Sequence, residues 1–187
     1  MGATEDVLAD VKKEMEDTVG AMRKELSRTR TGRASTALLE GIVVEYYGAR
    51  TPLNQLATIS APEPRLLVIQ PYDHSAITEI ERAIMQSDLG LMPQNDGKLV
   101  RVPIPELTEQ RRKDLVKHVR KIAEDFRVSV RNHRRDAIDM LKELQKDGDI
   151  TEDDLRRGQD KTQELTKENT DRLDKILKAK EDEIMEV

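Results

Sequence analysis

Six basic residues, Lys113, Lys117, Arg120, Arg127, Arg131 and Arg134, are separated by 4, 3, 7, 4 and 3 positions. On a helix of 3.6 residues per turn that spacing keeps them on one face, about 100° round from a parallel apolar row. Arg112 and Arg135 flank the row, and Glu124 alone interrupts it. A solvated face with pairs inside the helix, such as Asp125–Arg127, is the ordinary use of such a run. Acids are scarce between 111 and 135, however, with Asp114, Glu124 and Asp125 facing ten basic residues for a balance of +7. Guanidinium forks match phosphate oxygens two at a time, so the chemistry expected of this face is recognition of a polyanion.

Catalytic constellations are not legible. There is no phosphate loop, no Gly-rich nucleotide fingerprint and no His-Glu-x-x-His pair. His74, His118 and His133 lie far apart in sequence, and His133 falls on an apolar seam, where a hydrogen-bonded core imidazole is expected. Acid pairs such as Asp153-Asp154 read as helix-start residues. The absence of cysteine excludes disulfides, thiolate metal sites and a thiol nucleophile. No cofactor and no metal are expected, and the chain is not expected to be an enzyme.

Composition narrows the partner. Of 187 residues 37% are charged and 2% aromatic, so bases of single strands have few rings to stack on. Folded RNA, read by shape and charge, fits better than a base code. The net charge of −5 hides a partition. Residues 5–17 carry −4, residues 23–33 carry +4, and the chain from 147 onward carries −6. Acidic ends would repel nonspecific sites while the basic middle docks. No stretch is apolar enough to span a bilayer and no targeting segment is legible, so a cytoplasmic location is expected. A coiled-coil adaptor bound through the acidic ends and a general RNA chaperone are the alternatives.

The elements that must position these residues follow from periodicity. Leu8, Val11, Met15, Val19, Met22 and Leu26 recur at helical steps, and the helix should stop near Thr29, before Thr31-Gly32. Ile42–Tyr47, Leu56–Ser60, Arg65–Gln70 and Lys98–Val102 read as strands, with Tyr46 and Tyr47 packing in theirs. Asp73 or Ser75 can cap a helix from Ala76 to about Gln86. Val102-Pro-Ile-Pro105 should then break the chain. A helix over 108–146 carries Leu115, Val119, Ile122, Phe126, Val130, His133, Ala137, Leu141 and Leu144. Asp147-Gly148-Asp149 turns the chain, and Thr151 with Asp154 resembles a capping box opening a last helix faced by Leu155, Thr162, Leu165, Leu173, Ile176 and Ile184.

These elements make an α+β chain of two domains. A discontinuous three-helix bundle (1–30 and 106–187) is interrupted after its first helix by a small α+β domain (31–105) that includes both connecting segments. The Gly- and Pro-containing connections suggest a hinge at Arg30, Thr31, Gly32 and Arg33 and at Val102, Pro103, Ile104 and Pro105.

Five segments carry a resemblance: Arg30-Thr-Gly-Arg-Ala34, Val43-Val-Glu-Tyr-Tyr-Gly48, Ser87-Asp-Leu-Gly90, Leu107-Thr-x-x-Arg-Arg-Lys-Asp-Leu115 and Val130-Arg-Asn-x-Arg-Arg-Asp136. In this order, over essentially the whole chain, they resemble the bacterial ribosome recycling factor family. The resemblance implies an L-shaped pair of domains that binds the post-termination ribosome. With elongation factor G and that partner's GTP hydrolysis, it separates the subunits, releases mRNA and deacylated tRNA, and lets translation restart. It implies rRNA contacts of the large subunit at Arg131 and Arg134, with Arg112 behind them and Arg127 and Arg135 on the same surface. It matches Arg30 and Arg33 to a basic hinge motif, where hinge structure and RNA contact are equally open. A monomer, with no membrane and no DNA partner, is expected.

Overall fold

The computed structural model describes residues 2–186. The chain divides into two compact units, one of Met1–Thr29 with Gln110–Val187 and one of Arg30–Glu109.

The first unit is built from three helices, α1 (Ala3–Ser27), α4 (Glu109–Asp147) and α5 (Glu152–Met185). The buried row of α1 is Val7, Val11, Met15, Thr18, Val19, Met22 and Leu26, so Val7 takes the place expected of Leu8, which is only half-buried. Along α4 the seam runs through Leu115, Val119, Ala123, Val130, Ala137 and Leu141, with Ile122, Phe126, His133 and Leu144 half-buried at its edges. Ala123 is fully buried while the larger Ile122 and Phe126 beside it stay partly exposed. On α5 the buried row is Gly158, Thr162, Leu165, Thr166, Asn169, Leu173, Leu177 and Ile184, with Leu155 and Ile176 set to the side.

Polar residues can sit in that row because each is satisfied by its own helix. Thr162 and Thr166 donate to the carbonyls of Gly158 and Thr162, and Asn169 Nδ2 to that of Leu165, each at 2.8 Å. Gly158 is required by close approach. A Cβ there would lie 2.9 Å from Leu141 Cδ1 and 3.2 Å from Thr4 Cγ2, so all three helices meet at this notch.

Helix α4 ends in a Schellman motif. Gly148, at φ +84, donates to Gln145 O and Asp149 donates to Leu144 O, which reverses the chain within a few residues. The expected capping box then opens α5. Thr151 Oγ1 accepts from Asp154 N–H at 3.1 Å and donates to Asp154 Oδ2 at 2.7 Å, while Thr151 N–H donates back to the same oxygen at 3.1 Å. These bonds, with Arg157 beside them, hold the Asp154 carboxyl below the usual carboxylate range.

The second unit contains a hairpin, β1 (Val43–Tyr46) with β2 (Ala49–Pro52), and a short helical turn α2 (Leu53–Leu56). An antiparallel four-stranded sheet follows, ordered β3 (Ala57–Glu63), β4 (Leu66–Pro71), β6 (Val100–Pro103) and β5 (Gln94–Asn95). Helix α3 (Ile77–Gln86) buries Ile77, Ile80 and Ile84 into a core shared with Leu39, Val44, Leu53, Leu67, Ile69, Val100 and Val102. Strand β2 is not legible in the sequence, since Ala49-Arg-Thr-Pro52 has no apolar alternation and depends on pairing with β1. Pro62 lies within β3, which tolerates it as an edge strand. The chain does not break after Val102: Pro103 still pairs with Leu66, and Ile104 N–H donates to Arg65 O at 2.8 Å.

Two substitutions check the bundle. Thr151→Ala should lower stability to urea by about 1 kcal/mol, the ordinary cost of a lost N-cap. It should also move the Asp154 titration, read by NMR, up toward the normal range. Because the folded carboxyl titrates below the unfolded one, its contribution is present above the unfolded pKa and lost as pH falls through the folded value. The variant should therefore lose less stability on acidification than the parent. Gly158→Val should cost roughly 1–3 kcal/mol by overpacking against Leu141 and Thr4, seen as a lower urea midpoint.

Candidate RNA interface

The basic face of α4 divides into two groups once α5 is packed beside it. Arg120 Nε donates to Glu181 Oε1 at 2.7 Å. Arg127 donates to Asp174 Oδ1 from Nε at 3.0 Å and from Nη2 at 2.5 Å, and from Nη1 to Glu124 Oε2 at 3.3 Å. The partner acids raise the pKa of both guanidinium groups, Glu181 for Arg120 and chiefly Asp174 for Arg127. Both arginines are struts between helices, and the Arg127 side chain is only 26% exposed.

Acids are scarce between 111 and 135 of α4, but the neighbouring helix supplies them. These partners become legible only once α4 and α5 are set antiparallel. Arg120 and Arg127 step forward by seven as Glu181 and Asp174 step back by seven, the register of antiparallel helices.

Further along α4 the guanidinium groups are less bound. Arg131 Nη2 donates to Glu124 Oε1 at 2.6 Å, and both side chains are about half exposed. Glu124 is held below the usual carboxylate range by Arg131 first and Arg127 second. Arg134 Nη1 donates to Gln163 Oε1 at 3.2 Å, a neutral partner, and its buried Nε has no acceptor among the described residues. Arg135, 68% exposed, reaches Asp136 at 3.8 Å, beyond strong hydrogen-bond distance. These three lie within five residues, and Lys117, earlier in the row, is also exposed.

Arg112 is placed differently. Its Nη1 donates to Ile184 O at 2.8 Å and to Glu186 O at 2.5 Å, so this guanidinium satisfies the carbonyls at the end of α5, where positive charge is favoured. A contact across 72 residues to a main-chain atom has no signature in sequence.

His133 is hydrogen-bonded, as expected of a seam imidazole. Its Nε2 lies 3.1 Å from Thr18 Oγ1 and its Nδ1 3.1 Å from Glu14 Oε2, tying α4 to α1. In the second unit, Arg30 donates to Leu89 O at 2.8 Å and Asp88 O at 3.3 Å, binding the Ser87–Gly90 loop rather than projecting outward. Thr31 is buried, Gly32 adopts φ +77 with its open side against Leu107 Cγ, and Arg33 is exposed. Val102 and Pro103 belong to β6, and Ile104 is bonded to Arg65.

The tyrosines separate. Tyr46 packs on the core and donates to Asp73 Oδ2 at 2.7 Å, which pushes its phenol up to about 12. Tyr47 is 82% exposed at φ +48 in the hairpin turn, contrary to the strand packing expected of it. Among the described residues no group of three or more His, Cys, Asp or Glu could hold a metal ion, and no helix is long and apolar enough to cross a membrane.

Comparison with known proteins places the chain. The family model described as Ribosome recycling factor matches residues 22–185. The ribosome-recycling factor of Halalkalibacterium halodurans is 57% identical over 184 residues, covering 98% of this chain and 100% of that protein. That of Bacillus subtilis is 54% identical over 184 residues, with the same coverage. A solution structure of the ribosome recycling factor superposes with a TM-score of 0.80 at 44% identity, covering 100% of both chains. A second structure, of the T. thermophilus ribosome recycling factor with E. coli elongation factor G on the E. coli post-termination complex, gives 0.67 at 45% identity, again over 100% of both. The arginine-bearing helix, the bundle around it and the small antiparallel unit are shared along the full length: the chain belongs to the ribosome recycling factor family.

Proposed function

We propose that this chain binds the post-termination ribosome and, with elongation factor G and the GTP which that factor hydrolyses, separates the subunits and frees mRNA and deacylated tRNA. It acts in the cytoplasm as a monomer and contributes shape and charge rather than a catalysed reaction. The bundle is the anchor, seated on large-subunit rRNA through α4. The small unit is the lever on which the translocase pushes, and the segments around Arg30–Arg33 and Val102–Pro105 transmit that push.

The observation that carries the anchor is the contrast along α4. Arg120 and Arg127 are paired with acids of α5, whereas among the described residues Arg131 is bonded to Glu124 of its own helix, Arg134 to a neutral amide, and Arg135 reaches a carboxylate at 3.8 Å. Phosphate oxygens would complete the open donors of Arg131, Arg134 and Arg135. Arg112 supports the bundle by closing α5, and Arg30 anchors the Ser87–Gly90 loop within the small unit. Arg33 remains the exposed candidate for RNA contact in the small unit.

Arg134→Ala should weaken binding to large ribosomal subunits by roughly 1.5–3 kcal/mol, the scale of a charge-assisted contact, in co-sedimentation at fixed salt. Arg127→Ala should instead lower the urea midpoint of the bundle and change ribosome affinity less. The reverse pattern, with Arg134 needed for stability and Arg127 for binding, would overturn the assignment of the two groups.

A further inference from the structure

Glu124 is the acid inside the basic row, and its geometry is that of a competitor. It lies one turn before Arg127 and two turns before Arg131 on one face of α4, and its two carboxylate oxygens are divided between them. The two arginines differ in what they would lose without it. Arg127 keeps Asp174 on α5, whereas among the described residues Glu124 is the acid bonded to Arg131. The Arg131–Glu124 pair is open to water on both sides, at 53% and 52% side-chain exposure. An exposed pair of this kind is weak and exchanges readily, so an incoming phosphate can replace the carboxylate without unpacking the helix.

We propose that Glu124 is an affinity-setting residue: its carboxylate occupies the Arg131 fork in the free protein, RNA phosphate must displace it, and the ribosome is thereby bound less tightly than the arginines alone would allow. This rests on the reading of Arg131 as an rRNA contact. A factor that acts once per round and must leave is served by such a counterweight, because most differences in affinity between related complexes lie in the rate of dissociation.

The test is a double-mutant cycle on the full chain, read as binding to purified large ribosomal subunits at several salt concentrations. Glu124→Gln should tighten binding about two- to five-fold, the range of an exposed ion pair. It should steepen the slope of log affinity against log salt by up to about one contact. The gain should vanish in the Arg131→Ala background, and Glu124→Asp should retain most of the parent's weaker binding. Asp125→Asn makes the same charge change at the adjacent acid, which is not bonded to Arg131 among the described residues, and should tighten binding much less. If Glu124→Gln weakens binding, the carboxylate positions Arg131 instead of competing for it and the proposal is wrong. It is equally wrong if the gain survives Arg131→Ala or is matched by Asp125→Asn. If Arg131→Ala alone leaves binding unchanged, the rRNA reading of this residue falls first and the proposal with it.

Discussion

Between Glu109 and Asp147 helix α4 contains no proline and no glycine, and its 39 residues stay in one unbroken hydrogen-bonded ladder. That continuity constrains everything packed on it. A helix of roughly 58 Å holds a fixed angular relation between its apolar seam and its polar faces only if the partners along the seam hold it in register. Register is set at both ends of the α4–α5 pair. At one end the Gly148 reversal runs straight into the Thr151 cap; at the other, Arg112 ties the last carbonyls of α5 to the start of α4. The Leu141–Gly158 notch lies close to the reversal and admits α1 through Thr4. With almost no aromatic mass, this aliphatic seam and its small-residue notch must provide the rigidity that a bulkier core would supply elsewhere.

That register also sorts charge. Acids of α5 pair with Arg120 and Arg127, whereas among the described residues none is bonded to Arg131, Arg134 or Arg135, so one helix carries struts and then more loosely held guanidinium groups. An unsorted row of arginines would be a poor recognition element, since any polyanion could approach it anywhere. Pairing along one half leaves a short, placed group of donors. On the proposed reading, position then contributes to recognition without any base edge being read.

Much of this is legible from residue types. Helical steps locate α1, α4 and α5, the Asp-Gly-Asp turn and the Thr-x-x-Asp cap locate the reversal, and runs of Val, Ile and Leu locate β4 and β6. The basic row is legible because its spacing is helical. Three things are not. The partners of Arg120 and Arg127 lie on another helix, and only the antiparallel register reveals them. Arg112 and Arg30 bond main-chain oxygens 72 and 59 positions away, and a carbonyl leaves no trace in the sequence. Strand β2 exists by pairing with β1, not by its own pattern. The shift of the seam from Ile122 and Phe126 to Ala123 has a similar origin: which residue of a wide apolar stripe lies deepest depends on how the neighbouring helices are placed, not on residue type alone.

The distribution of chromophores divides the molecule for an observer. There is no tryptophan, all three tyrosines (Tyr46, Tyr47 and Tyr72) belong to the small unit, and the bundle holds only Phe126. Ultraviolet emission of the unlabelled chain therefore senses the β-sheet unit alone, while far-ultraviolet dichroism is dominated by the long helices. The melting of each half can be followed separately in one cuvette, without a dye or an introduced reporter residue.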